Sequence, residues 1–559
     1  MSTKYIFVTG GVLSSLGKGI TSASLGALLE ARGYKVAIKK FDPYLNYGPG
    51  TMSPLQHGEV FVTEDGGEGD LDLGHYERFI NSNMNKNSDL TSGKIYYTVI
   101  ERERRGEYLG STVQVIPHIT DEIKSCIISG AENYDIVITE IGGTTGDIEG
   151  LPFLEAIRQM KFDFDENDIL YVHVTLIPYI KMAGELKTKP TQHSVRQLQE
   201  IGISPDVLVC RSEYPLDDSI RRKLALFCNV EKDAVISCVD ASTIYQVPLA
   251  LNEEGMDKVV LRKLNLSERP FDLSMWQEIV RRIKQPQDSV HIAVVGKYLN
   301  MKDAYISLTE ALHHGGVANN LKINIKWVDA EMLETHLPSE YLSDIDGILI
   351  PGGFGERGVE GKIAAVNFAR SKDIPFFGIS LGMHAAVIEY ARNVLKLSDA
   401  TSAEMSMCKR SSNLVIDYRH DEHYNDEMGA TMRLGAYVCN LKEGSLAHTV
   451  YGGVSSISER HRHRLELNNS YVESLQNAGL YVTGINPDTG FADIIEIKSH
   501  RWFIGCQFHP EFKSKPFNPH PLFTNFVEAA YKFKLENSSS AEDNQDKKLD
   551  RFLKWIKKN

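Results

Sequence analysis

Six short stretches carry residues whose types and spacing can do chemistry. "VTGGVLSSLGKGITSAS" sets a glycine-rich loop between an apolar run and a helical one. Backbone N–H groups in such a loop, backed by a helix N-terminus, hold phosphate oxygens, and Lys18 adds a point charge. Five residues separate Gly11 from Gly17, and Gly19 stands where Ser or Thr ordinarily follows the lysine, so a tight structural turn stays open as the alternative. "AIKKFDPYLN" brings Lys39 and Lys40 to the end of a second apolar run, the side on which open α/β sheets bind ligands. "EDGGEGDLDLGHYERF" holds Asp70 and Asp72, and "IVITEIGG" ends an apolar run in Glu140. A carboxylate at a strand tip plus one from a loop suits Mg²⁺ beside a triphosphate, because that ion takes few protein oxygens; for Asp72 alone, a solvated acidic loop is the alternative.

"GELKTKPTQHSVRQL" places Lys187 and Lys189 just before Pro190, which opens a helix and makes a second anion site. Two triphosphates in one domain suggest phosphoryl transfer between bound reactants, where catalysis is positioning and charge neutralisation. The sixth stretch, "IPFFGISLGMHAAVIEYA", reads as a buried strand turning sharply into a helix, with Ser380 at the corner.

The elements that must position these residues alternate twice. "KYIFVTGG", "YKVAIKKF", "YDIVITEIGG", "ILYVHVTLI", "DVLVCRS" and "AVISCVD" form one series of strands separated by helix-length segments; "SVHIAVVGKY", "LKINIKWVD", "DGILIPGGFG" and "PFFGIS" form another. The fold class is α/β, with two doubly wound parallel-sheet domains. The first spans 1–266, a linker with capping Ser267 and one amphipathic helix spans 267–288, the second domain spans 289–535, and 536–559 is a polar spacer followed by a short amphipathic helix with Leu549, Phe552, Leu553 and Ile556 on one face.

Bulk properties narrow the classes. In 559 residues, 74 acidic against 61 basic side chains give a net charge of −13, which argues against wrapping nucleic acid or lying on anionic lipid. Seven scattered cysteines show neither metal spacing nor a disulfide framework and read as buried thiols in a reducing compartment. There is no run of about 18 apolar residues, and the apolar start is too short for a signal peptide, so the expected location is the cytoplasm and no membrane partner is expected.

"KYIFVTGGVLSSLGKGI", "KKFDPYLN", "PGTMSPLQHGEVFVTEDG", "DLDLGHYERF", "GELKTKPTQHSV" and "ALFCNV" resemble the CTP synthase family, glutamine-dependent amidoligases, over residues 4 to about 530. The resemblance implies a P-loop-type amidoligase domain followed by a class I glutamine amidotransferase domain. It implies that ATP phosphorylates the 4-oxygen of UTP and that ammonia displaces the phosphate. Carried over by position, Ser15, Leu16, Gly17, Lys18, Gly19, Ile20 and Asp72 bind ATP, with Mg²⁺ on Asp72 and Glu140. UTP rests on Ser14, Lys187, Thr188, Lys189, Pro190, Thr191, Gln192 and Lys223, and Lys40 faces the transferring phosphoryl. The feedback inhibitor CTP shares that triphosphate site and sets its base against Asp147, Ile148, Glu149 and Phe227. GTP as activator, a homotetramer and filaments are further family properties. "NYGPG" and "GGEGD" depart from the family's "NVDPG" and "GAETD", which puts the fine positioning of the metal or the ammonia passage in question.

"PGGFGERGVEGK" resembles the oxyanion strand of a class I amidotransferase, and "FHPEF" supplies His509 and Glu511 opposite the nucleophile. L-Glutamine would contact Gly353, Leu381, Gly382, Met383, His384, Glu404 and Arg464. The family's "GICLGMQ" is here "GISLGMH", so Ser380 stands at the nucleophilic cysteine and His384 at a glutamine. A thiolate waits ionised near neutral pH, whereas a serine hydroxyl needs a base during attack, so glutamine hydrolysis is expected to be strongly impaired while free ammonia still serves. His384 alternatively reads as a polar surface or capping neighbour that narrows the pocket. Rival readings are another P-loop ATP-dependent ligase, a CTP-sensing filament subunit of reduced activity, a working serine nucleophile, an esterase at Ser380, and rescue by Cys408 or Cys506.

Overall fold

The computed structural model describes residues 2–53, 57–299, 301–405, 411–418 and 432–556, with backbone alone at 51, 302 and 539–556. Cys408 lies outside the described residues, as do the side chains of the tail helix.

Runs such as KYIFVTG are buried along their whole length, the burden of a parallel strand covered by helices on both faces. Seven of them build one all-parallel sheet in the order Val235–Val239, Val207–Ser212, Ile169–Leu176, Lys4–Gly10, Ile136–Ile141, Val36–Asp42, Asp89–Thr91. The Lys4–Gly10 strand lies inside the sheet, between Ile136–Ile141 and Ile169–Leu176, so the loop that follows it opens where the strand order reverses. Phe7, Phe41, Phe153 and Tyr171 fill one face, each contributing about 1.5–3 kcal/mol through burial.

The second sheet has nine strands. Five are parallel, in the order Leu321–Asp329, Asp288–Gly296, Gly347–Ile350, Phe376–Ile379, Phe503–Cys506. Ala492–Ile497, Leu480–Ile485, Arg433–Leu441 and Ser456–His463 extend it antiparallel, so this sheet is mixed beyond the doubly wound part. Phe376 stacks on Phe503 at 4.4 Å, joining the two strands that lead to the chemistry.

The chain divides into two compact units, Met1–Met52 with Thr63–Arg281 and Ser53–Val62 with Arg282–Asn559. The division falls inside the helix Ser274–Lys284, whose first turn is capped by Asp272, accepting from Ser274 N at 2.8 Å. Ser267, expected as a cap, instead offers its carbonyl to Tyr34 OH at 2.7 Å. The short segment Ser53–Val62 belongs with the second unit, which no local pattern signals. Glu59 Oε2 accepts from Ser307 N at 2.8 Å, an anion at the start of the helix Ile306–Ala318 where the helix dipole favours it. Phe61 meets Phe512 edge-on at 5.1 Å, and Arg460 Nη1 donates to Val62 O at 3.0 Å.

The expected polar spacer at 536–548 is helical. One helix runs Pro521–Ile556, because Ser, Asn and Asp weaken a helix without breaking it and no Gly or Pro interrupts the stretch. Among the described residues, no helix is long and apolar enough to cross a membrane.

Candidate active sites

The loop after Lys4–Gly10 reaches the helix Lys18–Ala31 through backbone in the left-handed region at Val12, Ser15 and Gly17, with Gly17 as N-cap. Ser14 and Ser15 are exposed, and Leu16 is buried beneath them. The Lys18 stem lies over Gly10, where an added Cβ would come within 2.7 Å of Lys18 Cδ, and Lys18 Nζ donates to Gly143 O at 2.7 Å. Burial holds the Lys18 pKa below its ordinary value.

Lys40 and Lys39 part company. Lys40 Nζ contacts Asp72 Oδ2 and lies 2.9 Å from Glu140 Oε1, with Asp42 at 3.8 Å. Burial would strip its proton, but Asp42, Asp72 and Glu140 outweigh that and hold its pKa well above the usual range. Lys39, expected beside it, points to the opposite face and donates to Cys126 O, Ile127 O and Ser129 O at 2.7, 3.1 and 2.7 Å, closing the end of the helix Thr120–Ile128. Successive strand residues face opposite sides, so only one of two adjacent lysines can reach the site.

Asp72 and Glu140 therefore converge. Asp72 Oδ1 sits where it would be 2.3 Å from a Cβ on Gly19, against the start of the loop helix, and Glu140 Oε2 accepts from Tyr76 OH at 2.6 Å. Among the described residues, no group of three or more His, Cys, Asp or Glu is arranged to hold a metal. Two hard oxygens beside a phosphate loop still fit Mg²⁺, which keeps most of its waters.

The segment expected to make the second anion site leads into the helix Lys189–Glu200, with Pro190 in its first turn. Lys189 is exposed and Lys187, half-buried, pairs with Glu185. Thr188 Oγ1 accepts from Gln192 Nε2 at 3.0 Å and Thr191 Oγ1 donates to Leu176 O at 3.0 Å, which fixes the segment's conformation. Lys223 acts electrostatically on Glu185 and so belongs to the same neighbourhood. Phe227 lies exposed one turn further along the helix Asp218–Cys228. The turn holding Asp147, Ile148 and Glu149 is tied to the phosphate loop by Thr145 N donating to Gly10 O at 2.8 Å, and its Gly146 abuts Gln197 of the anion-site helix. Asp147 Oδ2 closes that turn on Thr144 N at 2.9 Å.

Two features were not anticipated from the sequence. A cavity of about 110 Å³ opens beside Gly17, lined by Ile20, Thr21, Arg211, Cys238 and Val239. It lies past the ends of Val207–Ser212 and Val235–Val239, a location the open-sheet rule would have flagged. Behind the loop, His173 is hydrogen-bonded to Thr9 Oγ1 at 2.9 Å and to Ser194 Oγ at 2.7 Å, with burial pushing its pKa down to about 3.

In the second unit, Ser380 holds φ 51° and ψ −106°, a strained corner between Phe376–Ile379 and the helix Leu381–Asn393. Close packing enforces it: a Cβ on Gly382 would stand 2.2 Å from Ile350 O, and one on Gly378 would stand 2.7 Å from Gly382 C. His509 Nδ1 donates to Glu511 Oε1 at 2.7 Å, leaving Nε2 as the basic nitrogen. His509 approaches the "PGGFG" turn, since a Cβ on Gly352 would lie 2.7 Å from its Cε1. Gly353 lies near Leu381, with 3.5 Å between a notional Cβ and Leu381 Cδ2, and Glu404 Oε1 accepts from Gly355 N at 2.7 Å. Arg464 is half-buried at the end of the strand Ser456–His463, and Met383 is fully buried under the corner.

His384 is not at the surface. It is 4% exposed, and its Nε2 donates to Gln507 Oε1 at 2.8 Å. Burial pushes its pKa down to about 4. Cys506, weighed as a rescuing thiol, is buried with a pKa pushed well up by that burial, and its Sγ faces Phe508 O at 3.4 Å. Sequence reading also missed Arg433 and His463, which clasp Glu466 at 3.0 and 2.9 Å on the flank of His384 and His509.

A triphosphate-handling sheet joined in one chain to an acyl-transfer corner defines an ATP-dependent ligase built to draw nitrogen from an amide. The family description "CTP synthase N-terminus" matches residues 4–266 and "Glutamine amidotransferase class-I" matches residues 300–529. The chain belongs to the CTP synthase family. CTP synthase of Carboxydothermus hydrogenoformans is 58% identical over 532 residues, covering 95% of this chain and 99% of the relative. That of Geobacter metallireducens is 56% identical over 541 residues, 97% and 100% of the two chains, and that of Methanocaldococcus jannaschii is 57% identical over 539 residues, 95% and 99%. A solved Trypanosoma brucei CTPS glutaminase domain with bound acivicin is 40% identical with a TM-score of 0.41, covering 44% of this chain and 94% of that one.

Proposed function

We propose that this CTP synthase aminates UTP with free ammonia far better than with glutamine, and the observation that carries the reading is a hydroxyl, Ser380, at the strained corner beside His509 and Glu511. In the first unit, ATP phosphates lie along the Ser15–Ile20 loop and the adenine enters the Arg211–Val239 cavity. The UTP phosphates rest on Ser14, residues 187–192 and Lys223. Asp72 and Glu140 would hold Mg²⁺, which supplies charge neutralisation at the phosphates. Lys40, kept protonated by its carboxylates, offsets the charge gathering on the phosphoryl group as it passes to the uracil 4-oxygen. Ammonia then adds at carbon 4 and phosphate leaves.

At the corner, a thiol beside an imidazole would ionise before attack, but Ser380 must lose its proton to His509 during attack, through a geometry set for a larger atom. Glutamine binds on Gly353, residues 381–384, Glu404 and Arg464 and is turned over slowly. CTP as feedback inhibitor, GTP as activator, assembly as a homotetramer and a cytoplasmic setting complete the proposal, on family resemblance.

Purified protein with ATP and UTP, supplied with ammonium or with glutamine, tests it by the absorbance of CTP. Ammonium should support synthesis, glutamine should not, and Ser380→Cys should raise the glutamine-dependent rate by about 10²-fold or more. Equal glutamine rates with and without that substitution refute the reading of the corner.

A further inference from the structure

The "PGGFG" turn, residues 351–355, runs beside both the Ser380 corner and His509: a Cβ on Gly352 would lie 2.7 Å from His509 Cε1, and one on Gly353 would lie 3.5 Å from Leu381 Cδ2. Its carbonyls are held from behind by two lysines. Lys362 Nζ donates to Pro351 O at 3.2 Å, and Lys297 Nζ donates to Phe354 O and, at 3.1 Å, to Gly355 O. Lys362 projects from the helix Val359–Ser371 and is 0% exposed. Among the described residues it has no carboxylate within ion-pair distance, and the charged groups that act on it are Lys297 and Arg357, both cationic. Burial, with those two cations, pushes its pKa down to about 7. A lone amine buried against like charge is costly to keep, and packing alone would be served by Leu or Met.

The Pro351 carbonyl and the Gly352 N–H belong to one planar trans peptide and point in opposite directions. A donor on the oxygen therefore turns the N–H away from the helix and deepens its positive end. The same logic operates three peptide groups further on, where Lys297 holds Phe354 O and the Gly355 N–H on the other side donates to Glu404.

We propose that Lys362 is a positioning residue for acyl transfer: by gripping the Pro351 carbonyl, it sets the amide of Gly352 toward the oxygen that becomes negative when glutamine's carboxamide is attacked. This rests on the reading of the Ser380 corner as a glutamine site. Preorganised backbone donors act on the charge that develops in the transition state and little on the neutral ground state, so the loss of Lys362 falls on kcat and spares binding.

The test compares Ser380→Cys with Ser380→Cys/Lys362→Met and Ser380→Cys/Lys362→Gln in steady-state glutamine hydrolysis, with glutamine affinity measured by calorimetry on the Lys362 variants of the Ser380 chain. The Met variant should lose about 10²-fold in kcat, with KM and the calorimetric Kd within threefold. The Gln variant keeps a donor to Pro351 O without the charge and should fall between. A Met variant within threefold of Ser380→Cys in kcat overturns the proposal, as does a KM that rises by the whole loss. Failure of Ser380→Cys itself to hydrolyse glutamine overturns the underlying reading of the corner, and Lys362 with it. If the Met form does not bind glutamine in calorimetry, the Gln variant decides alone: kcat equal to that of Ser380→Cys overturns the proposal, and a drop at constant KM supports it.

Discussion

The amide of Ser380 donates to the carbonyl of Cys506 at 2.7 Å. That bond, beyond the pairing of the two strands, ties the Ser380 corner to the strand Phe503–Cys506, whose continuation carries His509 and Glu511. Ser380 and His509 are thus registered by neighbouring parallel strands, which ties the corner's backbone to the sheet whatever its side chain. The effect of restoring a thiol should accordingly be chemical, with little change in fold.

Gly11 is the tightest point of the phosphate loop, since a Cβ there would lie 1.5 Å from Ser194 Oγ. Gly11→Ala should cost about 1–3 kcal/mol in chemical denaturation and raise KM for ATP and UTP together, because Ser194 rides on the anion-site helix. Adding Ser194→Ala should recover at least half of both losses. Strictly additive effects would show that the two positions do not press on each other.

Lys40→Met should reduce ammonium-dependent CTP formation by about 10³-fold, since the protonated amine that offsets the charge gathering on the phosphoryl group would be gone. Breaking the buried pairs should also cost about 3–5 kcal/mol of stability. Retention of more than a tenth of the rate would remove Lys40 from the chemistry.

His173 is buried neutral, with its pKa down to about 3 against an ordinary 6.5. Only the unfolded chain takes up its proton between those values, so stability is intact above about pH 6.5 and falls as pH drops toward 3, by up to about 1.4 kcal/mol per unit. Urea unfolding at pH 7, 6 and 5 should show this acid limb flattened in His173→Asn. Parallel limbs in both proteins would mean that the imidazole is not held neutral.

His384→Gln in the Ser380→Cys background should lower the KM for glutamine by about three- to tenfold, the worth of one neutral hydrogen bond from the amide that the family carries at this position. An unchanged KM would show that His384 serves Gln507 alone.

Much of this was legible before any coordinates. The strands announced themselves because both faces are buried and the runs are almost purely apolar, and the loop at Gly10 to Gly19, the acids Asp72 and Glu140, and the Ser380 corner each sit within one contiguous motif. Lys39 shows where reading stopped short: the two-residue period of its strand already forbids it from joining Lys40, yet charge alone grouped them. Lys297 and Lys362 were invisible for a different reason. Their role depends on which carbonyls they meet, 11 residues away for Lys362 and 57 and 58 for Lys297, and no local pattern encodes that. The surface alternative for His384 failed because a lone imidazole carries no sign of the glutamine side chain, 123 positions downstream, that receives its proton.

The ten residues Ser53–Val62 bear on how the protein can be taken apart. A fragment starting at Arg282 would lack the carboxylate that crowns the helix Ile306–Ala318, the aromatic neighbour of Phe512 and the carbonyl that Arg460 grips, while Arg460's own carbonyl receives the His509 amide at 2.7 Å. Severing the chain at its obvious hinge would therefore loosen the ground under His509, and grafting this decapeptide back as a free peptide should steady it.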